Sequence, residues 1–339
     1  MLALLCGLAL GSEPPDFAEW ATRQTPPEDH PERAEGWDFA AELFARLARV
    51  VEDNETTSTL LVGRSVEKRP IWGFRVQDPG VEPEQELLVI AQLHSLEWIG
   101  PEVAVAFLEG IASAPPPGVV VTVVPIVNPD GRWRSEQDLL NDEVRSYRRA
   151  NANGVDLNRD WSMHRDSDVI WSKLPWTRRH YYSSPAPLSQ PETQAVDRLA
   201  AESPPDAFVS LHAFGGYVET PWGGVYEPPP DDERLKATAY EMAEAMPHRP
   251  YRVIQINHWV RTFRALGCEV DHFYGVYGAD AFLIELTRSG ITLAPSTWRD
   301  YFRWYNPVDK TEHVDNGVAA LEALLHRMSA ESRGLIEPL

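Results

Sequence analysis

The chain has 339 residues, 43% of them hydrophobic and 24% charged, and its 31 Lys and Arg against 51 Asp and Glu give a formal net charge of −20. This composition excludes a disordered or fibrous protein, and the length predicts one large α/β domain or two small ones with a sizeable core. Proteins bind phosphate backbones through an excess of lysine and arginine, and this chain has an excess of acidic residues instead, so we expect no nucleic-acid partner.

The N-terminal segment combines a short apolar run with a stretch rich in proline and acidic residues. The apolar run, residues 2–10, is shorter than the ~20 residues that a membrane-spanning helix needs, so we expect no membrane span. The run is similar to the apolar region of a signal peptide, which predicts a signal peptide at residues 1–12 and a secreted or periplasmic protein. Since no Lys or Arg precedes it, a cytoplasmic protein is the alternative. We interpret residues 13–35 as an extended lead-in to a domain at residues 36–335.

After the lead-in, the apolar pattern predicts strands that alternate with helices, the rhythm of an α/β fold. Predicted strands lie at residues 58–62, 71–76, 86–92, 119–125, 207–212 and 279–286, and predicted helices at residues 97–112, 191–202, 232–245 and 312–329. Two long stretches between them, 128–182 and 215–230, are rich in Gly, Pro, Trp and Asn. We predict that these stretches are loops that build a site.

A histidine and a glutamate, His94 and Glu97, follow the predicted strand at residues 86–92. In open α/β sheets, ligands bind at the carboxyl ends of the strands. With Glu97 in the first turn of the next helix, both side chains can reach one cation, and their nitrogen and oxygen donors suit Zn²⁺. Taken alone, the pair is more typical of a helix-capping carboxylate beside a surface histidine.

Two later strands also carry a polar side chain near their carboxyl ends. The strand at residues 207–212 ends in His212, and two histidines with one glutamate form a known ligand set of catalytic zinc. The strand at residues 279–286 holds Glu285 within an apolar run. Because an unpaired buried carboxylate is costly, we expect Glu285 to face a cavity, a cation or a water molecule. The alternatives are a core histidine at His212 and a buried ion pair at Glu285.

Six motifs, in order, resemble the zinc carboxypeptidases of the carboxypeptidase A type. They are His94-x-x-Glu97, Asn128-Pro129-Asp130-Gly131, Gly154-Val155-Asp156-Leu157-Asn158-Arg159, Ser189-Gln190-Pro191-Glu192-Thr193, His212 and Glu285. The resemblance extends from Trp37 to the last predicted helix. It implies a single three-layer α/β domain, with helices on both faces of a twisted, mixed parallel and antiparallel sheet of about eight strands. The segment before Trp37 is short for a globular pro-domain, as in bacterial-like members.

The resemblance also implies an activity and a metal site. The expected activity is a metallocarboxypeptidase that takes peptides with a free C-terminal carboxylate, and we expect the protein to be a monomer. One zinc ion per chain would be held by His94, Glu97 and His212, and Glu285 would be the general base. This assignment agrees with general chemistry, because a carboxylate near an activated water can take a proton and later deliver it to the leaving amine.

Basic and amide side chains in the long loop match the family's substrate-binding groups. Asn158 and Arg159 correspond to the pair that binds the terminal carboxylate of the substrate. Arg148 best matches the arginine that polarises the scissile carbonyl, and Arg149 or Arg145 would replace it if the loop alignment shifts. Guanidinium groups suit both roles because they pair bidentately with carboxylates and stabilise a developing oxyanion.

The sequence departs from the family at the tyrosine that caps the substrate. Asp271, Tyr274 and Glu285 keep the family's spacing, and counting back from Asp271 places Phe263 at the capping position. A phenyl ring can cover the substrate but cannot donate a hydrogen bond. We therefore expect some transition-state stabilisation to be lost unless Tyr274, Tyr277 or a shifted loop supplies the hydroxyl.

Three positions bear on which C-terminal residue is cleaved. Relatives that prefer basic residues carry an acid at one of two places, which here hold Val270 and Gly223. Both are uncharged, and this predicts a preference for an apolar or aromatic C-terminal residue. Glu219, which maps to the pocket wall, would instead attract a cation unless it faces solvent.

Two other functions use the same sequence features. A murein peptide amidase, which hydrolyses γ-D-glutamyl–diaminopimelate bonds, would use the same catalytic residues, and turnover of muropeptides would distinguish it. A non-catalytic peptide-binding protein would normally lack one of the metal ligands or the general base. Here His94, Glu97, His212 and Glu285 are all present.

Overall fold

The computed structural model describes residues 16–143, 145–165, 174–175, 181, 183–258, 264–288 and 297–337. Within this part of the chain, one sheet is formed by β1 Thr57–Arg64, β2 Pro70–Val76, β3 Gln85–Ala91, β4 Val119–Val124, β5 Ala207–Ala213, β6 Tyr217–Thr220, β7 Arg252–Gln255 and β8 Asp280–Leu286. The α-helices are α1 Phe17–Thr22, α2 Ala40–Asp53, α3 Ile99–Ala112, α4 Pro129–Leu140, α5 Pro191–Glu202, α6 Asp232–Glu244, α7 Glu269–His272, α8 Tyr301–Tyr305 and α9 Thr311–Ser332.

The sheet is mixed, with the order β1-β2-β4-β3-β5-β8-β6-β7. Strands β4, β3, β5 and β8 run parallel to one another, whereas β2 is antiparallel to β4 and β6 is antiparallel to β8. The predicted single α/β domain with about eight strands is confirmed. The carboxyl ends of β3, β5 and β8 therefore lie side by side, where a ligand site is expected in such a sheet.

Helical segments cover the sheet on both of its faces. Along β5, Phe208 stacks on Phe273, in the helical turn after α7, with ring centroids 3.7 Å apart. Leu211, three residues later on the same strand, lies against Gly100 of α3. Because successive side chains of a strand alternate, these two contacts are on opposite faces. This burial on both faces explains why β3, β4 and β5 are almost continuously apolar.

The lead-in and one predicted loop contain helices that the sequence analysis did not include. Residues 13–35 were expected to be extended, but Phe17–Thr22 is helical, capped by Asp16, and Phe17 is buried against Trp72 and Phe74. Within the predicted loop 128–182, the helix α4 starts at Pro129, where the side chain of Asn128 accepts a hydrogen bond from the Gly131 amide.

The structure also bears on the membrane prediction. No helix in the described ranges is both long enough and apolar enough to cross a bilayer. The proposed signal peptide at residues 1–12 lies outside the described residues.

Candidate metal centre and substrate cavity

The three predicted metal ligands meet at the carboxyl ends of β3 and β5. His94 follows β3, His212 lies within β5, and Glu97 precedes α3. The prediction that Glu97 lies in the first helical turn is wrong, because α3 begins at Ile99. Pro101 has no amide hydrogen and is accommodated in the first turn of that helix. Ligand atoms of His94, Glu97 and His212 all lie within 4.8 Å of one another, and the three side chains are buried.

The donor atoms face a common point. The Nδ1 atoms of His94 and His212 are 3.1 Å apart, and each lies 2.8–2.9 Å from an oxygen of Glu97. Two nitrogens bound to one tetrahedral zinc would be separated by about 3.3 Å, given Zn–N bonds of about 2.0–2.1 Å. Donor chemistry and spacing therefore both fit a zinc ion.

Two more carboxylates orient the histidine rings from behind. The Nε2 atom of His94 is 3.0 Å from Asp156, and that of His212 is 2.8 Å from Glu269. Since a carboxylate accepts the Nε2 hydrogen, both Nδ1 lone pairs point towards Glu97 and each other. Hydrogen-bond acceptors therefore face one another between the three side chains, and only a cation or extra protons can stabilise them there. Carboxylates that bind the Nε2 atoms from behind, as Asp156 and Glu269 do, are the usual support for histidine ligands of zinc.

The charges around Glu97 keep it ionised. Burial would raise the pKa of this carboxyl group, but the imidazoles of His94 and His212 outweigh burial and lower the pKa to about 2. An ionised glutamate is the form that binds a metal.

Glu285 lies directly beside the metal ligands. It is the register partner of His212 on the neighbouring parallel strand, β8. Its Oε2 atom is buried without a hydrogen-bond partner in the described part of the protein. Burial and the negative charge of Glu97 together raise the pKa of Glu285 to about 8. A carboxylate placed in this way is available to a ligand rather than committed to the scaffold.

The arginine beside the centre is Arg149. Its Nε atom is 2.8 Å from Asp156 and its Nη1 atom is 3.8 Å from Glu97. Arg148, the first choice from the sequence, instead forms a two-contact ion pair with Asp138 at 2.6 and 3.0 Å, and 42% of its side chain is exposed. The structure therefore brings Arg149, the substitute that a shifted alignment allowed, to the metal centre, and it holds Arg148 against Asp138.

A cavity of about 140 Å³ opens beside the metal centre, several times the ~30 Å³ that one water molecule occupies. Asn158 and Arg159 both line it, as expected, and both are buried. The Nδ2 atom of Asn158 donates to Glu269 at 3.1 Å, so the same carboxylate orients His212 and Asn158. Its other lining residues are His94, Arg149, Tyr181, Ala213, Phe214, Tyr217, Glu219, Ile256, Ala265, Cys268, Leu283, Glu285 and Tyr305. We call this space the specificity cavity.

Of the three predicted pocket residues, only Glu219 is among those that line the cavity. Glu219 lines the cavity and is buried. Val270 is fully buried in α7 but does not line the cavity. Gly223 lies behind the wall, where an added Cβ atom would approach Ala265 and Cys268 to 3.0 Å.

The expected sources of a capping hydroxyl are engaged elsewhere. Tyr274 donates to Asp231 at 2.7 Å, and Tyr277 donates to the Asp197 carboxylate at 2.7 Å. Phe263 lies outside the described residues. Tyr305 does line the cavity, with its hydroxyl 2.9 Å from that of Tyr147.

Sequence reasoning missed three contributors to the site: Asp156, Glu269 and Tyr305. Asp156 stands in one of the six motifs, so its motif was the available signal. Glu269 immediately precedes Val270, which the spacing had singled out, but an acid at the start of a helix has many ordinary explanations. For Tyr305 no local pattern gives a signal.

Comparison with known proteins agrees with this geometry. A family model described as zinc carboxypeptidase matches residues 45–303, well over half of the chain. The protein therefore belongs to the zinc carboxypeptidase family.

Among curated relatives, the chain is 25% identical over 255 residues to mast cell carboxypeptidase A of Mus musculus, covering 70% of this chain and 59% of that protein. It is also 25% identical over 280 residues to carboxypeptidase A2 of Mus musculus, covering 76% and 66%. The match thus spans about three fifths of the first relative's length and two thirds of the second's.

Solved structures share the fold. Bovine thrombin-activatable fibrinolysis inhibitor, in complex with a tick carboxypeptidase inhibitor, aligns with a TM-score of 0.69 and 18% identity, covering 87% of this chain and 98% of that one. Carboxypeptidase A from Helicoverpa armigera aligns with a TM-score of 0.65 and 18% identity, covering 91% and 78%.

Proposed function

We propose that the protein is a zinc-dependent metallocarboxypeptidase that hydrolyses the last peptide bond of peptides with a free C-terminal carboxylate. The observation that carries this proposal is the position of Glu285 directly beside His212, at the edge of a closed set of three zinc donors. Membership of the zinc carboxypeptidase family supports it.

His94, Glu97 and His212 would hold one zinc ion, and zinc would supply a Lewis acid that activates water and polarises a carbonyl group. Asp156 and Glu269 fix the two imidazole rings in the tautomer that presents Nδ1 to the metal.

Glu285 acts as general base and then as general acid. Its carboxylate takes a proton from the attacking water, and the same proton passes to the amine of the departing residue. The raised pKa of about 8 indicates that this carboxyl group holds a proton readily between the two transfers. A cation bound beside it would lower that pKa and restore the carboxylate for the next cycle.

Hydrogen-bond donors position the substrate around this base. Asn158 and Arg159 bind the terminal carboxylate, because a guanidinium and an amide offer several N–H donors in a buried setting. Arg149, held in place by Asp156, stabilises the negative charge that develops on the scissile carbonyl oxygen. Tyr305 supplies a hydroxyl on the cavity wall. The phenylalanine that the sequence places at the family's capping position, Phe263, has no hydroxyl to donate.

The specificity cavity receives the side chain of the departing residue. Ile256, Ala265 and Leu283 give its wall an apolar surface, which suits a side chain with an apolar body. A murein peptide remains an alternative substrate, because the cavity also holds the carboxylate of Glu219, which an amine would satisfy.

The decisive test is Glu285→Gln, assayed with N-blocked peptides and with a muropeptide. We expect wild-type protein to bind one zinc per chain, to cleave the peptides, and to lose activity with a zinc chelator. The variant should keep its zinc and its melting temperature but lose about 10²–10⁴-fold in kcat, the usual contribution of a general base.

The opposite results are equally clear. Near-normal turnover by the zinc-loaded variant would show that Glu285 is not the base. If the protein cleaved the muropeptide but none of the peptides with a free C-terminal carboxylate, it would be a murein peptide amidase and not a carboxypeptidase.

A further inference from the structure

Glu219 stands out within the specificity cavity because its carboxyl group has no bonded partner among the described residues. It lies on β6, opposite Leu283 of β8 in the sheet register, and is only 5% exposed. In the described part of the chain, no side chain or amide donates a hydrogen bond to its carboxylate, and no ion pair includes it. This carboxylate faces a space that is open to a ligand.

The surroundings of Glu219 make its isolation costly. Ile256, Ala265 and Leu283 line the same cavity and offer no hydrogen bond. Burial, with the nearby charge of Glu285, raises the pKa of Glu219 well above its ordinary value. A group that brought a positive charge into the cavity would remove this penalty, and an uncharged side chain would not.

We propose that Glu219 selects substrates whose C-terminal residue carries a cationic head on an apolar stem, as lysine and arginine do. The stem packs against Ile256, Ala265 and Leu283, and the ammonium or guanidinium group donates to the carboxylate. This inference rests on the proposed function and names the substrate class for the same site.

The inference revises the apolar preference that Val270 and Gly223 suggested. Those positions are the ones at which relatives that prefer basic residues carry an acid, but neither is among the residues that line the cavity. The acid comes instead from the wall strand β6. The uncharged positions therefore do not decide the preference, and Glu219 does.

The test compares N-blocked dipeptides that end in lysine or in norleucine, which has the same carbon chain without the amine. The ratio of their kcat/KM values isolates the contribution of the charge, and general changes in catalytic rate cancel. In wild-type protein we expect lysine to exceed norleucine. In Glu219→Gln the ratio should fall by about tenfold or more, the lower bound for a hydrogen bond to a charged group.

Glu244→Gln is the matched control. Glu244 is exposed at the end of α6, outside the cavity, so this variant loses the same charge and should keep the wild-type ratio. Melting temperatures verify folding, and Glu219→Asp, which keeps the charge on a shorter stem, should retain a preference for lysine over norleucine. A wild-type preference for norleucine, or an unchanged ratio in Glu219→Gln, would overturn the proposal.

A binding experiment separates failure of this inference from failure of the proposed function. Zinc-loaded protein is titrated with 6-aminohexanoate and with hexanoate, which share a carboxylate and differ in the amine. If wild-type protein binds 6-aminohexanoate more tightly than hexanoate and Glu219→Gln does not, selection of cations by Glu219 is supported even if no peptide is cleaved. If wild-type protein binds the two acids equally, selection of cations by Glu219 is contradicted even if peptides are cleaved.

Discussion

The metal centre and the specificity cavity lie side by side at the same edge of the sheet, but they treat buried carboxylates in opposite ways. At the metal centre, Asp156 bonds to His94 and Arg149, and Glu269 bonds to His212 and Asn158. In the cavity, Glu219 has no partner in the described residues.

This difference separates scaffold from ligand-binding groups. A carboxylate that accepts hydrogen bonds from other side chains, as Glu269 does through its Oε1 atom, holds them in position. A carboxylate that accepts none is stabilised when a ligand arrives. Glu285 belongs to the second class, because none of the described residues hydrogen-bonds to its carboxylate and its Oε2 atom is buried. The comparison predicts distinct defects for the two classes, in metal affinity for the first and in turnover or selectivity for the second.

The largest effect among the positioned groups is expected at Arg149. Substitution with methionine keeps the apolar stem but removes the charge that stabilises the oxyanion, and a loss of about 10²–10³-fold in kcat is expected for such a donor. Arg148→Met is the control, since this exposed side chain pairs only with Asp138 among the described contacts. An exposed pair of this kind contributes only about 0–1 kcal/mol to stability.

Steady-state kinetics of the two variants, with zinc content measured in parallel, decide between the neighbouring arginines. Equal losses in both would mean that the loop has a different arrangement in solution. A large loss in Arg148→Met alone would restore the sequence-based assignment.

A smaller effect, confined to the metal, is expected at Glu269. Glu269→Ala leaves the Nε2 atom of His212 without its acceptor, and removing such a partner typically weakens metal binding by about 10–100-fold. Glu269→Gln keeps an oxygen acceptor and should fall between this variant and wild type. Competition with a chromogenic zinc chelator gives the affinities, and unchanged affinity in Glu269→Ala would place Glu269 outside the metal's support.

The sequence predicted best what depends on strand ends. His94, His212 and Glu285 come together because parallel strands align their carboxyl ends, and the apolar runs of these strands are strong signals. The helix α4 was missed because its exposed face is polar and its motif was interpreted only as a family feature. The short strand β7 has four residues, too few for a periodic signal.

The parts that sequence could not supply depend on contacts distant along the chain. Choosing Arg149 over Arg148 requires knowing that Asp138 takes one arginine and Asp156 takes the other. Adjacent residues in a loop give no periodic pattern that separates them. Likewise, spacing alone could not show that Glu219 lines the cavity while Val270 is not among its lining residues.

The smallest effect is expected from the hydroxyl of Tyr305, which tests whether the cavity wall replaces the capping tyrosine. Tyr305→Phe keeps the ring against Phe214 but removes one hydrogen-bond donor, so kcat/KM should fall by about tenfold, the value of a single hydrogen bond. Burial raises the pKa of Tyr305 well above its ordinary value, so its hydroxyl stays protonated and able to donate at neutral pH. Tyr274→Phe is the matched control, because that hydroxyl bonds to Asp231 outside the cavity and its loss should leave kcat/KM near wild type. If Tyr274→Phe had the larger defect, the capping hydroxyl would come from Tyr274 after a movement of its loop, and Tyr305 would serve only to pack the wall.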